Sequence, residues 1–538
     1  MADQSDTQPS VLEDTDHKRI GRLYVLFGFA FLVVGGLAGF LLRLGLAQPG
    51  SSRPDEYARS FSLHVTVLAV LALPAIWAGL ATYLVPLQIG ANRVAFPRLH
   101  AASLWVHVAG GGLLIASYGM EGLGILGPSL PVPANLTGPA STADELWLTG
   151  GGLVAIAALG LAISLLTTIV TLRAPEVRLA RLPLFTWAIL ATAAVSLISI
   201  PVHLAGLTIL YVDRHFGGDL FGAAGSDDVW RHTVWLLGRP EIFLLTLPGL
   251  GVAAAVASSH ARRPLLGEEG IRGALAAAAV LSLSVWAGGS AAASSMFAPT
   301  FSAFAALAAL IPLTMVPAWA GTLALGRPRL HPGLGFVAGA VAIGGLAALN
   351  VGVAFLVDGE AGAWSTGYLH AGFFVPPLLL ACAGLWHWAP KLWGRRFGNA
   401  SGWLAALLLT GGSVVQSGAS FIAGYQGAPN RTAEAGSLVL NRLAGLGAAV
   451  TLLGLAIVVV EIVRATMSGP ERALADDPWG ESQGLEWTVS SPPSRRNFET
   501  VPGATPAAPP DADATSAATD LESPIEQASE PEPVGAAT

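Results

Sequence analysis

Apolar runs of about twenty residues recur along most of this chain, and they constrain its fold more than any other feature. About twelve such runs lie between Ile20 and Val463, and a helix of about 20 apolar residues is what crosses the hydrocarbon core of a bilayer. The composition agrees, because 53% of the residues are hydrophobic and only 12% are charged, whereas soluble domains carry about 25% charged residues. The sequence therefore predicts an all-α polytopic membrane protein with about twelve transmembrane helices.

Composition divides the chain into three predicted parts. Residues 1–19 form a polar N-terminal segment, residues 20–467 the membrane domain, and residues 468–538 a C-terminal tail. From about residue 500 the tail is rich in Pro, Ala, Asp and Glu, so it is predicted to be disordered because it cannot bury enough apolar surface. After Arg496 there are eight acidic residues and no basic one, so the preceding 496 residues, with 28 basic and 27 acidic side chains, are nearly neutral.

Basic residues concentrate in alternate loops, as in the stretches HKRIGR, GANRVAFPR and SSHARRPLLGEEGIR. By the positive-inside rule this pattern predicts a multi-pass protein of the cell membrane with both termini in the cytoplasm, as an even number of spans requires. The single cysteine, Cys382, lies in an apolar run. An intrachain disulfide and a cysteine metal cluster are therefore excluded.

Two histidines fall at similar predicted depth in different spans. His64 lies near the outer end of the second span, and His370 lies near the outer end of the tenth. A histidine within a membrane needs a hydrogen-bond partner or a metal. Two of them at equal depth could supply the two axial ligands of a six-coordinate haem. The alternative, for this pair and for the other histidines in or near spans, is a bond to a backbone carbonyl; the others are His107, His203 and His387.

Several longer stretches make the chain resemble one known family along nearly its whole length. They are HKRIGRLYVLFG (17–28), YLVPLQIGANRVAFPRLH (83–100), LRAPEVRLARLPLFTWA (172–188) and DPWGESQGLEWTVSSPPSRRNF (477–498). In this order and spacing they resemble subunit I of the haem–copper cytochrome oxidases. The resemblance implies a membrane domain of that fold, with haem iron as its cofactor.

The resemblance places a low-spin haem between His64 and His370. It also implies that Arg43 bonds a substituent of that haem. The family has two adjacent arginines that bind haem propionates. Arg431 matches one of them, whereas Asn430 stands in the place of the other. The expected cofactor is therefore one low-spin haem, of type a or b.

The positions that the family uses to reduce oxygen carry other residues here. The family's HPEVY motif, which holds a copper ligand and a redox tyrosine, reads RPEIF, with Arg239 and Phe243 at those two places. Its adjacent pair of copper-binding histidines is replaced by Gly288 and Gly289. Its high-spin haem ligand is replaced by Tyr368. Copper requires imidazole or thiolate ligands, so no copper is expected, while a second haem on Tyr368 stays open because tyrosine can ligate haem.

The family's proton routes are altered as well. A carboxylate at the mouth of one channel is replaced by Arg93, and the intramembrane lysine of the other is replaced by Val316. Glu360 and Ala361 stand at the outer magnesium positions. Only Glu241, the carboxylate at the end of the first channel, is retained.

A charged pair stands in the middle of the apolar stretch VWLLGRPEIFLLTLPG. An arginine at bilayer depth is costly and needs compensation. Glu241 is the nearest candidate to compensate Arg239, and Pro240 between them can kink a helix and allow the contact. We expect Arg239 to be a fixed cation where the family holds copper, keeping Glu241 ionised.

Three functions stay open from the sequence. The first is an electron-transfer subunit of a respiratory complex, embedded in lipid, which receives electrons from another subunit and binds no nucleic acid. The second is a non-redox structural or assembly subunit. The third is a terminal cytochrome c oxidase, as family membership alone would suggest. The replaced ligand positions favour the first.

Overall fold

A computed structural model describes most of the membrane domain and part of the tail. The residues described are 14–48, 54–120, 141–218, 220–221, 226–236, 239–288, 298–354, 362–428, 437–471, 474–480, 482 and 484–500. In this part of the chain the structure is helical and no strand is found. The first helix described begins at His17, and the last long helix ends at Met467.

The helices are, in chain order, α1 (His17–Leu46), α2 (Pro54–Thr66), α3 (Leu73–Gln88), α4 (Pro97–Gly119), α5 (Thr142–Thr171), α6 (Leu184–Phe216), α7 (Ser226–Thr233), α8 (Glu241–Leu244), α9 (Leu247–Ala261), α10 (Glu268–Ser282), α11 (Val285–Gly288), α12 (Ala298–Thr314), α13 (Val316–Ala324), α14 (Pro332–Ala354), α15 (Gly362–Leu369), α16 (Val375–Trp393), α17 (Asn399–Tyr425) and α18 (Leu438–Met467). Two π-helical turns, Val67–Ala72 and His370–Phe374, join α2 to α3 and α15 to α16. These joined elements make single continuous spans.

Eleven segments among the described residues are long and apolar enough to cross a membrane. The all-α polytopic fold is thereby confirmed. One of the about twelve apolar runs of the sequence, centred near residue 284, is not among these eleven. It falls on α10 and α11, which are 15 and 4 residues long. Residues 289–297, which would continue it, lie outside the described part.

Close helix contacts hold the bundle together, and the span Arg59–Gln88 lies at its centre. In that span 89% of the apolar window is buried. It packs on α1 through Gly21 and Gly79, where a Cβ on Gly21 would lie 2.8 Å from the Gly79 carbonyl oxygen. Small residues of this kind let two backbones touch, which is how helices associate in lipid, where the hydrophobic effect does not drive them together.

Prolines account for the two π-helical turns. Pro74 follows the turn Val67–Ala72, and Pro376 follows the turn His370–Phe374. Because proline has no N–H, it cannot close the usual bond to the carbonyl four residues earlier. The backbone then widens locally, and such π turns are frequent at functional sites. Each turn lies at or just after one of the two predicted haem ligands.

The N-terminal segment and the tail meet on one face of the molecule. Lys18 Nζ donates to the Arg495 carbonyl at 3.0 Å and to Asn497 Oδ1 at 3.1 Å. Asn497 Nδ2 in turn donates to the Ala91 carbonyl at 2.8 Å, in the loop between α3 and α4. The start of α1 and the tail residues 495–497 therefore lie on the same face. That this face is cytoplasmic stays a prediction.

The tail also buries an acidic residue against the membrane domain. Glu486 is 3% exposed, and its Oε1 accepts a hydrogen bond from Gln88 Nε2 at 2.9 Å. Its Oε2 has no hydrogen-bond partner among the described residues. Burial raises the pKa of Glu486, and the Gln88 bond and the Lys391 charge offset only part of this effect. The predicted disorder beyond about residue 500 concerns residues outside the described part.

Candidate haem site

The structure brings His64 and His370 into contact. His64 lies near the end of α2, and His370 begins the second π turn. Their Nε2 atoms are 3.4 Å apart. The ring centroids are 5.6 Å apart with an angle of 25° between the ring planes. Two histidines 306 residues apart in the chain thus present the same nitrogen to one point.

The opposite nitrogen of each ring is held by a backbone carbonyl. His64 Nδ1 lies 2.7 Å from the Gly35 oxygen, and His370 Nδ1 lies 2.9 Å from the Thr366 oxygen. A carbonyl only accepts, so in each neutral imidazole the proton is on Nδ1 and the lone pair is on Nε2. The two lone pairs then face each other without a proton between them. Histidines that ligate a metal are held in this way, since the second nitrogen donates to a carbonyl or carboxylate.

The spacing of the two rings suits one metal ion. Imidazole nitrogens lie about 2.0–2.1 Å from a bound zinc, and two similar bonds on opposite sides of an iron would span about 4 Å. Starting from 3.4 Å, each ring needs to move outward by only about 0.3 Å to reach that span. The pair therefore fits the axial ligands of a six-coordinate haem.

Helix α1 prepares the position of the His64 ring. It supplies the carbonyl of Gly35, and one turn later it presents Gly39 to the face of the ring. A Cβ at Gly39 would overlap Cε1 and Nδ1 of His64. Only glycine leaves room for the imidazole to lie this close to the helix.

The predicted haem-binding arginine borders the same space. Arg43 is buried, and its Nη2 donates to Ser420 Oγ at 3.3 Å. Together with both histidines it lines a largely apolar cavity of about 870 Å³, its open mouth included. Cofactor pockets commonly combine apolar walls with a few polar groups in this way. Arg431 and its neighbour Asn430 lie outside the described residues.

Aromatic rings occupy the region where the resemblance places the oxygen-reducing centre. The Phe373 ring meets the rings of Phe243 and Tyr368 edge-on, at centroid distances of 5.7 and 5.6 Å. These three residues and Val316 line a cavity whose volume, including its open entrance, is about 1,260 Å³. Its described lining contains no histidine, cysteine, aspartate or glutamate. Gly289 and the pair 360–361 lie outside the described residues.

The Arg239–Glu241 contact that the sequence suggested is present. Arg239 Nη1 lies 3.9 Å from Glu241 Oε1, with the two side chains 6% and 20% exposed. Arg239 Nε and Glu241 Oε2 have no hydrogen-bond partner among the described residues. Arg239 precedes the helix instead of sitting inside a kinked one, because Pro240 occupies the N-cap position of α8. The irregular backbone at this point lets residues two apart approach each other.

The remaining predicted residues have simpler surroundings. His107 Nε2 lies 3.2 Å from the Leu71 carbonyl, and His203 Nδ1 lies 2.7 Å from the Thr233 carbonyl. Both contacts match the alternative to metal ligation, a bond to a backbone carbonyl. Arg93 is exposed in the loop between α3 and α4.

A group of aromatic and imidazole rings on the tail face was missed from the sequence. His387 contacts His260 and Trp479, and no described residue bonds either nitrogen of His387. His260 and His331 also stack on each other. The signal in the sequence was the two histidines beside arginine-rich loops, in SHARRP and RPRLHP.

Comparison with known proteins agrees with this architecture. A family model described as "Cytochrome C and Quinol oxidase polypeptide I" matches residues 19–458. The chain belongs to this family. "Cytochrome c oxidase subunit 1" of Corynebacterium efficiens is 31% identical over 514 residues, which cover 91% of this chain and 87% of that protein. A "Putative cytochrome c oxidase subunit 1-beta" of Streptomyces coelicolor is 32% identical over 510 residues, with 91% and 87% covered.

A solved structure shares the fold of this family member. The cryo-EM structure of a heme-copper terminal oxidase dimer superposes with a TM-score of 0.65 at 15% identity, covering 88% of this chain and 87% of that one. The chain is therefore an oxidase subunit I-like, multi-pass membrane protein. At this identity the likeness shows the fold alone.

Proposed function

We propose that this chain is a membrane electron-transfer subunit of a respiratory complex, carrying one low-spin haem between His64 and His370 and performing no oxygen chemistry of its own. The observation that supports it best is the paired imidazoles. Their Nε2 atoms face each other at 3.4 Å while both Nδ1 atoms are bonded to carbonyls. That arrangement leaves two lone pairs repelling each other unless a cation lies between them.

Each surrounding residue has a defined task toward the haem. The carbonyls of Gly35 and Thr366 hold the two rings by Nδ1, which leaves both Nε2 atoms free to hold a haem iron if one is bound. Arg43, buried beside them, supplies positive charge and hydrogen-bond donors for a polar substituent of the porphyrin. The apolar walls exclude water. A bound haem contributes one-electron redox chemistry, and its potential depends on ligands, burial and nearby charge.

The replaced ligand positions support a lost oxygen-reducing centre. Arginine stays protonated and cannot ligate copper, glycine has no side chain, and phenylalanine has no phenolic proton to give. The walls of the cavity at Tyr368 and Phe243 are correspondingly aromatic and aliphatic. The relatives are named as cytochrome c oxidase subunits. This chain keeps their fold, and we infer that it keeps one of their haem sites without the chemistry of the other.

This function requires partner subunits. In the proposed role the electrons arrive from another subunit and leave to another acceptor. A non-redox structural role is the remaining alternative, in which the two histidines would bind no iron. The two readings differ in a measurable quantity, namely the haem content.

One experiment tests the proposal. The full-length protein is purified from its native membranes, its reduced-minus-oxidised spectrum is recorded, and iron and copper are quantified by mass spectrometry. We expect one low-spin haem iron per chain and no stoichiometric copper. Two haems with copper would establish a terminal oxidase, and absence of haem would establish a structural subunit. A second haem without copper would place the extra iron at Tyr368.

A further inference from the structure

Arginine-rich loops meet around one cavity on the face of the molecule that carries the tail. The loop before α14 pairs with the end of α9 through two backbone bonds, from Arg327 N to the Ala261 carbonyl and from Arg329 N to the His260 carbonyl, both 2.9 Å. The loop after α16 adds Arg396. These segments lie far apart in the chain, and the fold brings their positive charge together.

The cavity between these loops is polar and has a buried end. It has a volume of about 810 Å³ with its mouth and is lined by residues that include His260, Arg329, His331, Arg396 and Trp479. Both arginines are exposed, whereas His260 and His331 are 3% and 6% exposed. Cations thus stand at the rim, and imidazoles stand at the inner end.

The buried imidazoles have unused hydrogen-bonding capacity. No described residue bonds His260 Nε2, which is buried. His331 Nδ1 accepts from Gly333 N at 3.1 Å, so the proton of the neutral ring is on Nε2, where it can serve as a donor. The two rings stack with centroids 4.1 Å apart, and the Trp479 ring meets the His331 ring edge-on at 4.7 Å. A buried polar nitrogen without a partner costs free energy unless a ligand or water satisfies it.

The acidic groups nearby do not cancel the positive charge. Glu471 Oε2 lies 3.7 Å from Arg396 Nε, so one of the two arginines at the rim has an acidic partner. Asp477 Oδ1 and Oδ2 accept bonds from the backbone of Trp479 and Ser482, so that carboxylate is engaged in its own turn. No ion pair of Arg329 is found among the residues described. The cavity therefore keeps a surplus of donors over acceptors.

We propose that this cavity binds a phosphate group, with Arg329 and Arg396 as charged donors at its rim and His260 and His331 as donors at its inner end. Phosphate presents several acceptor oxygens with negative charge, and arginine matches that geometry better than other side chains. The phosphate can come from a soluble ion or metabolite, or from the headgroup of a phospholipid at the membrane surface. The two sources share this chemistry and differ in the attached group.

The test uses the full-length protein and two arms. In the first, delipidated protein in neutral detergent is titrated calorimetrically with inorganic phosphate, against chloride at matched ionic strength. In the second, the protein is reconstituted with phosphatidylcholine and phosphatidylglycerol, and the retained phospholipid is counted by native mass spectrometry. The site variant is Arg329→Gln with Arg396→Gln. The matched control is Arg93→Gln with Arg98→Gln, which removes two exposed arginines, one in the loop between α3 and α4 and one in the first turn of α4.

We expect the site variant to bind phosphate at least about tenfold more weakly, or to lose the retained phospholipid, while the control behaves as the wild type, because each lost charged hydrogen bond by itself accounts for about a tenfold change. A response confined to inorganic phosphate identifies a soluble ligand, and a response confined to phosphatidylglycerol identifies a headgroup. Equal effects of both double variants, or no binding by the wild type in either arm, would overturn the proposal. All four substitutions change exposed side chains, so loss of folding does not obscure the result.

Discussion

Replacing Arg239 with glutamine tests whether the buried cation holds Glu241 in place. The two side chains are 3.9 Å apart, and the arginine is 6% exposed. Glutamine is shorter than arginine, and it keeps hydrogen-bonding ability but removes the charge. The carboxylate, which is 20% exposed, then has no cation beside it. Removing one partner of an ion pair in the protein interior lowers the free energy of unfolding strongly.

The expected cost follows from the geometry of the pair. Two unit charges at 3.9 Å attract by about 4 kcal/mol at an effective dielectric constant of about 20. Removing one partner of a buried pair typically costs about 3–5 kcal/mol. Because the Glu241 side chain keeps 20% exposure and the distance is at the long end for an ion pair, we expect a loss of about 2–3 kcal/mol, below the range for fully buried pairs.

A double-mutant cycle isolates the interaction from other effects of the substitution. The free energy of unfolding is measured by titration with a denaturing detergent in mixed micelles for wild type, Arg239→Gln, Glu241→Gln and the double variant. Most of the lost stability should return in the double variant, because no unpaired charge remains. The haem midpoint potential gives a second readout, and loss of a positive charge should lower it, since the oxidised iron carries more positive charge.

Additive effects of the two substitutions, within about 0.5 kcal/mol, would refute the reasoning. So would an unchanged stability and potential in Arg239→Gln. Either result would mean that the arginine bonds backbone carbonyls or extends to water, and that it compensates nothing at Glu241. Arg239→Lys serves as the control that keeps a cation, and it should retain more of the stability than glutamine does.

Three further predictions concern the haem ligands, their support and the tail. His64→Ala and His370→Ala should each abolish the low-spin α-band of the reduced spectrum, and a normal band in either variant would remove that residue from the ligand pair. Gly39→Ala should weaken haem retention, because its Cβ overlaps the His64 ring, whereas Gly45→Ala on the same helix meets nothing within 4 Å and should leave the spectrum unchanged. For Glu486, burial raises the pKa in the folded state, so stability should fall as pH rises from the unfolded value of about 4.3; Glu486→Gln should flatten this slope, and an equal slope in both proteins would contradict the assignment.

The membrane fold could be read from the sequence because its controlling signal is local. Each span is an apolar run of fixed length, and no knowledge of neighbouring helices is needed to find it. The helix that fits least well is the one near residue 284, where α10 is only 15 residues long. The π turns beside His64 and His370 were not predicted, because a single turn is too short for the sequence pattern to distinguish π from α periodicity. Pro74 and Pro376 were the available signals.

The candidate haem site was predictable in its residues and not in its geometry. Depth and resemblance pointed to His64 and His370. The carbonyls that orient the rings belong to Gly35 and Thr366, and the Gly35 carbonyl comes from another helix through contacts that no sequence pattern encodes. The cavity on the tail face was missed for the same reason. His260 and His331 are 71 positions apart in the chain and meet only after three loops pack together.

The His64–His370 pair and the segment that carries Arg239 and Phe243 are supported separately in the structure, and this bears on the proposal that one site is kept while the other is replaced. His64 is supported from α1 and His370 from its own helix, so the haem pair does not depend on the segment that carries Arg239 and Phe243. Ligands can therefore be removed from that segment without loosening either imidazole. Glu241 differs, because removal of its cation would leave a carboxylate that is only 20% exposed without a charge partner, at the expected cost of about 2–3 kcal/mol. An arginine at position 239 satisfies that requirement, and we propose this as the physical reason for the charged pair at the start of the span Glu241–Ala261.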